Sequence, residues 1–385
     1  MTTRIKSGPR VLHLYRTYFP ETQGGMQEAI RQLCLATSDL GVDNTVFALA
    51  HDPDPERLEL PEGHLLRARS WLEVASCDIG GWAAFKRCRE AADQSDIIQI
   101  HYPWPFADLL LPYIRRRQQP VIVSYVSDIV RQKGLGLLYA PLRRRLLSAA
   151  ARIVTSSPNY ARSSEVLQHY HTQLDCIPHC LHELPAAEPQ RMTDWATRLG
   201  SRFFLFVGVL RYYKGLDYLL AAARQVNSSI VIVGDGPEGE HLRRQAKGLP
   251  NVRFVGAVPD ADKYALLALC RALILPSHLR SEAFGMTLLE GAQAAKPLIS
   301  CEIGTGTTWV NQHNETGLVV RPADPGALAQ ALNTLAADDA LCARLGQGAR
   351  ARWLQCFTPA VVGAAYRRVY EEMLGQAPVS FPAPD

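Results

Sequence analysis

The sequence predicts an α/β protein built from two doubly wound domains, each a parallel sheet covered by helices. Three observations carry that expectation. Short apolar runs alternate with longer helical patterns along the chain, the signature of β-α-β units. The length of 385 residues suits two domains at roughly 150 residues each. The alternation lapses once, over residues 182–200, where Pro-, Ala- and Glu-containing text without a strong period reads as an interdomain linker.

In the first half, Arg10–Tyr15 reads as the opening strand. A Gly24-Gly25 loop follows, then a helix from about Met26 to Leu40 that Gly41 stops. Thr45–Ala50, Asp96–His101, Pro120–Tyr125 and Arg152–Ser156 are further strands. The second half repeats the alternation, with strands at Phe203–Gly208, Ser229–Gly234, Val252–Val255, Ala272–Leu275 and Lys296–Ser300. Helices fall between them at about Gly215–Val226, Pro237–Lys247, Ala261–Cys270 and Gly285–Ala295. Gly317–Val320 is a last short strand, and two long helical patterns, Pro325–Ala336 and Pro359–Leu374, close the chain. The expected domains are 1–185 and 186–355, with the helix of 356–385 packing back on the first. The active site is expected in the cleft between their carboxyl strand ends.

Composition narrows the class. With 47% hydrophobic and 20% charged residues the chain has material for real cores, which excludes disorder. No apolar run approaches the ~20 residues of a bilayer span. Arg16 interrupts the apolar stretch behind Arg4, Lys6 and Arg10, which makes a signal peptide unconvincing. A formal net charge of +4 is too weak for a nucleic-acid binder. The nine cysteines are scattered, odd in number and form no C-x-x-C pair, so the expected compartment is cytosolic. Cys176 and Cys180 lack a second pair at zinc-finger spacing and read as isolated thiols.

The densest chemical signal is Ser277-His-Leu-Arg-Ser-Glu282-Ala-Phe-Gly285-Met-Thr-Leu-Leu-Glu290. It starts just past a strand and runs into a helix. The helix N-terminus around Phe284, Gly285, Met286 and Thr287 offers free N–H groups and the positive end of the dipole to a phosphate. Glu282 and Glu290, on either side, can bind sugar hydroxyls. In Gly208-Val-Leu-Arg211-Tyr-Tyr-Lys214-Gly215, two cations three residues apart beside glycines can clamp a diphosphate. Gly234-Asp-Gly236-Pro-Glu-Gly239 after a strand is formally G-x-G-x-x-G and raises a rival reading, an NAD(P)-dependent oxidoreductase. In the first domain, Gly24-Gly25 is another phosphate-facing turn. His101 ends a strand ahead of Tyr-Pro-Trp-Pro and could serve as polar contact or acid/base group. Asp128 and Arg131 are weaker candidates for the same wall.

Together these residues resemble the family-four glycosyltransferases, which have the GT-B fold of two Rossmann-like domains facing across a cleft. The paired glutamates, the Arg211/Lys214 loop, the Gly-Asp-Gly-Pro turn and Gly24-Gly25 carry the resemblance. Tyr15-Arg-Thr-Tyr-Phe-Pro, His101-Tyr-Pro-Trp-Pro-Phe, Ser127-Asp-Ile-Val-Arg-Gln and Leu279-Arg-Ser-Glu-Ala-Phe-Gly look like bacterial mannosyltransferases of O-antigen or exopolysaccharide synthesis. The resemblance implies a retaining transfer from a nucleotide sugar, GDP-mannose, to a lipid-linked saccharide, without an obligate metal or other cofactor. It implies that Arg211 and Lys214 neutralise the departing diphosphate beside Gly208 and that Glu282 holds the sugar hydroxyls. Glu290 would bind the ribose, Gly256 would line the base, His101 would contact the sugar, and the Gly24-Gly25 amides would approach the phosphate. Related sequences often carry His where this chain has Val126, and the segment Ile177-Pro-His-Cys-Leu lacks a glycine common after that Ile-Pro. A non-catalytic GT-B partner protein is the remaining alternative.

The charge is unevenly spread. Between Leu110 and Arg162 there are ten Lys/Arg and one acid, Asp128. Arg115–Arg117 and Arg143–Arg145, the latter set among leucines, suit an anionic membrane surface. The expected location is the inner face of the cytoplasmic membrane.

Overall fold

The computed structural model describes residues 8–74, 77–128 and 133–376. They form two compact units. The first holds the chain up to Ser156, Ser164–Cys180 and the stretch from Pro359; the second holds Ser157–Ser163 and Leu181–Thr358.

In the first unit, the strands are β1 (Arg10–Leu14), β2 (Asp43–Ala50), β3 (Arg57–Leu60), β4 (Gly63–Val74), β5 (Cys77–Gly80), β6 (Ile97–Tyr102), β7 (Val121–Tyr125), β8 (Arg152–Thr155) and β9 (Leu174–Cys176). They pair in the order β3-β4-β2-β1-β6-β7-β8-β9, with β5 against β4. All pairings are parallel except β3–β4 and β4–β5. Near-continuous Val/Ile/Leu text in β1, β6 and β7 follows from burial on both faces. Helix Pro359–Met373 packs on this unit, burying Val362, Tyr366, Val369 and Tyr370 with Val11, Leu33 and Ile97. Tyr370 also donates to Gln99 Oε1 of β6 at 2.6 Å. Chain order reverses between β1 and β6, so the connections leaving these two strands diverge and open a crevice at their carboxyl ends. Gly24-Gly25 follows β1, and His101 is the penultimate residue of β6.

The second unit has β10 (Phe204–Val207), β11 (Ile230–Val233), β12 (Val252–Gly256), β13 (Ala272–Leu275), β14 (Leu298–Cys301) and β15 (Gly317–Val320). All are parallel, in the order β12-β11-β10-β13-β14-β15. The reversal here falls between β10 and β13. The loops after those two strands carry Gly208–Gly215 and Ser277–Gly285, so both chemical signals read from the sequence flank one switch point.

Several elements differ from expectation. The stretch read as a linker contains helix Pro189–Leu199, anchored by buried Trp195, whose Nε1 donates to Asp262 Oδ1 at 3.0 Å. The boundary falls at Cys180/Leu181 instead of 185/186, and Ser157–Ser163 belongs to the second unit. Strands β3, β4, β5 and β9 and helices Trp82–Gln94, Pro105–Ile114 and Asp339–Cys356 had no counterpart in the sequence reading. In β4 the alternation is disguised by Arg67, a buried charge that pairs with Glu21 and donates to the Pro55 carbonyl.

Candidate active site

In the second unit the β10 loop turns through a short 3₁₀ segment, Tyr212–Lys214, into helix Leu216–Ala223. Gly215 makes that junction possible: its φ is +71°, and a Cβ would fall 2.0 Å from the Pro276 carbonyl oxygen. The His278 N–H donates to the Tyr213 carbonyl at 3.0 Å, tying the β13 loop to the β10 loop. This close apposition brings Lys214 Nζ to 2.5 Å from Glu282 Oε2, and Ser277 Oγ donates to the same oxygen at 3.1 Å. Both charged side chains are largely buried. Burial disfavours the Lys214 charge, but the Glu282 carboxylate outweighs it and raises the ammonium above its ordinary value. Lys214 therefore keeps its charge despite burial, and the exposed Arg211 is the second cation of this loop.

Gly285 caps helix Met286–Gln293, with Phe284 buried before it and Met286 and Thr287 half-exposed in its first turn. On the same helix Glu290 Oε1 lies 2.9 Å from Lys263 Nζ, which also reaches Asp260 Oδ1 at 2.9 Å. Lys263 escaped the sequence reading because its partner is 27 residues away on another helix. Gly256 ends β12 with open space where a Cβ would stand, and its carbonyl accepts from the Gly234 N–H at 2.8 Å.

The Gly234–Gly239 turn does not fit a nicotinamide site. A Cβ on Gly234 would meet the Gly208 carbonyl oxygen at 2.0 Å, and one on Gly236 the Leu210 carbonyl oxygen at 2.6 Å. The space those glycines free is filled by this chain's own β10 loop, not left for a pyrophosphate. Their work is to let two loops touch, which positions Gly208 and Arg211.

In the first unit helix Gly25–Ser38 starts one residue earlier than expected, with Gly24 as its extended N-cap. His101 is 2% exposed. Its Nε2 lies 3.1 Å from His13 Nδ1, and His13 Nε2 lies 3.0 Å from Asn44 Oδ1. The orientation of Asn44 follows from its other contacts, because its Nδ2 faces the Cys34 carbonyl at 3.0 Å and a carbonyl can only accept. Asn44 Oδ1 must then accept from His13 Nε2–H. Burial lowers His13 to about 4, so it is neutral and its Nδ1 accepts in turn. That assigns the proton of His101 to Nε2 and leaves Nδ1 as an acceptor. Burial, with His13 and His179 nearby, holds His101 well below the ordinary imidazole value. Of the two roles the sequence allowed, polar contact and acid/base group, this environment supports a neutral hydrogen-bond acceptor. Neither His13 nor Asn44 was singled out in the sequence; both sit on strands whose apolar pattern dominates.

Asp128 Oδ1 accepts from Tyr125 Oη at 2.8 Å and from Ser164 Oγ at 2.9 Å. Arg131 lies outside the described residues. Among the described residues no three His, Cys, Asp or Glu side chains gather as a metal site, and none of the cysteines is disulfide-bonded. No described helix is long and apolar enough to cross a membrane.

Two doubly wound Rossmann-like units, the second with a buried Lys–Glu pair at its switch point, define a glycosyltransferase of the GT-B class. The comparisons agree. Residues 189–352 match the model of glycosyl transferases group 1, and residues 24–180 match a glycosyl transferase 4-like domain. A D-rhamnosyltransferase, WbpZ, of Pseudomonas aeruginosa is 47% identical over 354 residues, spanning 91% of this chain and 92% of that one. The O-antigen chain mannosyltransferase C of Escherichia coli is 42% identical over 95% of this chain and 99% of its own. Among solved structures, sucrose-phosphate synthase from Thermosynechococcus elongatus shares the fold at a TM-score of 0.77 and 20% identity, over 95% of this chain and 99% of that one. The chain belongs to the family-four glycosyltransferases.

Proposed function

We propose that the chain moves a manno-configured hexose, mannose from GDP-mannose, onto a lipid-linked saccharide with retention at the anomeric carbon. The product is a cell-surface polysaccharide of the O-antigen, lipopolysaccharide or exopolysaccharide kind, made at the inner face of the cytoplasmic membrane. The observation that carries this reading is the Lys214–Glu282 pair beside the N-terminus of helix Met286–Gln293. It stands in a chain alignable over nearly its whole length with an O-antigen mannosyltransferase.

In the proposed reaction the bond between the sugar C1 and the diphosphate oxygen breaks, and a bond from C1 to the acceptor oxygen forms on the same face. The leaving phosphate oxygen takes the acceptor's proton, so no protein base is needed. Arg211 and Lys214 neutralise the departing diphosphate in place of a divalent ion, aided by the helix N-terminus at Met286 and Thr287. Glu282 binds donor-sugar hydroxyls, and Glu290, oriented by Lys263, binds the ribose. His101 Nδ1 accepts from a sugar hydroxyl. The Gly24-Gly25 amides serve the phosphate, and Asp128 and Arg131 the acceptor.

A second donor has its own support. D-rhamnose is 6-deoxy-D-mannose, and the relative that is 47% identical is named a D-rhamnosyltransferase. Incubation with GDP- and UDP-linked mannose, D-rhamnose, glucose and N-acetylglucosamine, plus a lipid-linked acceptor, separates the readings. Transfer from GDP-mannose is expected; preference for the 6-deoxy donor selects the second. No transfer or donor hydrolysis from any would leave the non-catalytic partner reading.

A further inference from the structure

Six of the eight large apolar side chains that stand exposed among the described residues lie between residues 71 and 113. Trp71 and Trp82 are each 72% exposed, Tyr113 67% and Leu109 57%. They are not scattered. The Trp71 indole lies on Gly81, where a Cβ would fall 2.3 Å from Cε2. Trp82 packs beside Phe85 with ring centroids 4.9 Å apart, and Phe85 meets Tyr113 edge-on at 6.4 Å. Leu109 precedes Tyr113 by four residues on helix Pro105–Ile114, so the two share a face. Helix Trp82–Gln94 turns Ala84, Cys88, Ala91 and Ala92 to its own core, leaving Trp82 off that face.

An exposed aromatic surface of this kind is unusual on a monomer and marks an interaction site. Its border is basic. The Arg89 guanidinium lies 5.7 Å from the Phe85 ring centre, Lys86 is one residue further along the helix from Phe85, and Arg116 and Arg117 follow the helix that carries Tyr113. The acids nearby are Glu90, 3.9 Å from Lys86, Asp93, 3.9 Å from Arg116, and the exposed Glu73, two residues beyond Trp71 on β4, against four cations. Two indoles and a phenol, each with an apolar body and one polar tip, match the head-group zone of a bilayer. Surrounding cations match anionic lipid.

We propose that Trp71, Trp82, Phe85, Leu109 and Tyr113 form a docking platform that seats the first unit on an anionic bilayer surface, with Lys86, Arg89, Arg116 and Arg117 meeting the head groups. The inference extends the lipid-linked acceptor reading, because a platform on the acceptor-binding unit brings the enzyme to a substrate held in the membrane. It places the apolar contact at residues 71–113, on a surface that shares Arg116 and Arg117 with the basic cluster read from the sequence and leaves out Arg143–Arg145.

Co-sedimentation of the full chain with phosphatidylcholine vesicles, with and without phosphatidylglycerol, tests it, alongside donor hydrolysis without vesicles. Binding to the anionic vesicles with a blue shift of tryptophan emission is expected. Trp71→Ser and Trp82→Ser should each weaken partition roughly tenfold and leave donor hydrolysis unchanged. Wild-type protein that stays in the supernatant, or a double variant that sediments like wild type, overturns the platform. Self-association lost in the double variant, without vesicle binding, assigns the patch to a second copy and also overturns it. Intact docking without donor turnover would instead refute the transferase reading, so the two failures are distinguishable.

Discussion

His13 Nδ1 lies 3.1 Å from His101 Nε2, and this contact fixes which nitrogen of His101 carries its proton. The chain of inference starts at a helix carbonyl, Cys34 O, and passes through Asn44 and His13. His13 is thus a positioning residue. Replacing it with Phe removes the acceptor that holds the Nε2–H form and lets the ring of His101 exchange tautomers. We expect kcat/KM for the nucleotide-sugar donor to fall about 10- to 100-fold, the size typical for loss of an orienting partner. His13→Asn, which retains an acceptor oxygen, should recover part of it. Steady-state kinetics on both variants, with long-range ¹H–¹⁵N spectra of the histidines, checks the assignment. A wild-type spectrum with the proton on Nδ1 of His101 would contradict it.

The same burial makes stability depend on pH on the acid side. His13 falls from 6.5 to about 4 in the folded chain, and His101 is lowered as well. Between the folded and unfolded values the unfolded chain binds more protons, so stability rises with pH there. It is full above about pH 6.5 and declines as pH falls toward 4, by about 3 kcal/mol for His13 alone. Urea midpoints at about pH 7.5 and about pH 5 should show the drop, and His13→Asn should flatten it. Equal midpoints in the wild type would contradict the neutral relay.

Lys214 and Glu282 act together, which changes what single substitutions do. Removing one partner leaves the other as an uncompensated, largely buried charge, at about 3–5 kcal/mol. Glu282→Gln and Lys214→Met should each lower the melting temperature and cut turnover by about a hundredfold to a thousandfold. The double variant should regain most of the stability and none of the turnover. Calorimetry and donor hydrolysis on the three variants separate the structural loss from the chemical one.

Gly215 is the hinge of that arrangement. Its φ of +71° and the 2.0 Å approach of a Cβ to the Pro276 carbonyl oxygen leave no room for a side chain. Gly215→Ala should cost about 3 kcal/mol or more and displace Lys214 from Glu282. Gly248→Ala, at φ +85° but with nothing within 4 Å, is the control, expected to cost only about 1–2 kcal/mol.

Much of this was legible in the sequence because it is local. Period and punctuation reveal buried parallel strands. The β13 loop presents Ser277, Glu282 and Gly285 within nine residues, and Glu290 follows on the same helix. What stayed hidden is non-local. The Asn44–His13–His101 relay joins residues 31 and 88 apart, and Lys263 reaches Glu290 across 27. The β3–β5 hairpins are hidden because Arg67 on β4 breaks an alternation that its non-local partners, Glu21 and the Pro55 carbonyl, make tolerable. The Gly234–Gly239 motif misled for the opposite reason. Its spacing matches a dinucleotide loop, but only coordinates reveal that Gly208 and Leu210 occupy the space.

The central claim, a retaining transfer driven by the Lys214–Glu282 centre, is tested most directly by product analysis. GDP-mannose is incubated with the protein and a lipid-linked saccharide, and the anomeric configuration of the new linkage is read by NMR. An α-linked mannose from the α-linked donor, formed by wild type and not by Glu282→Gln, is the predicted result. A β-linked product, or equal transfer by the variant, would contradict the account.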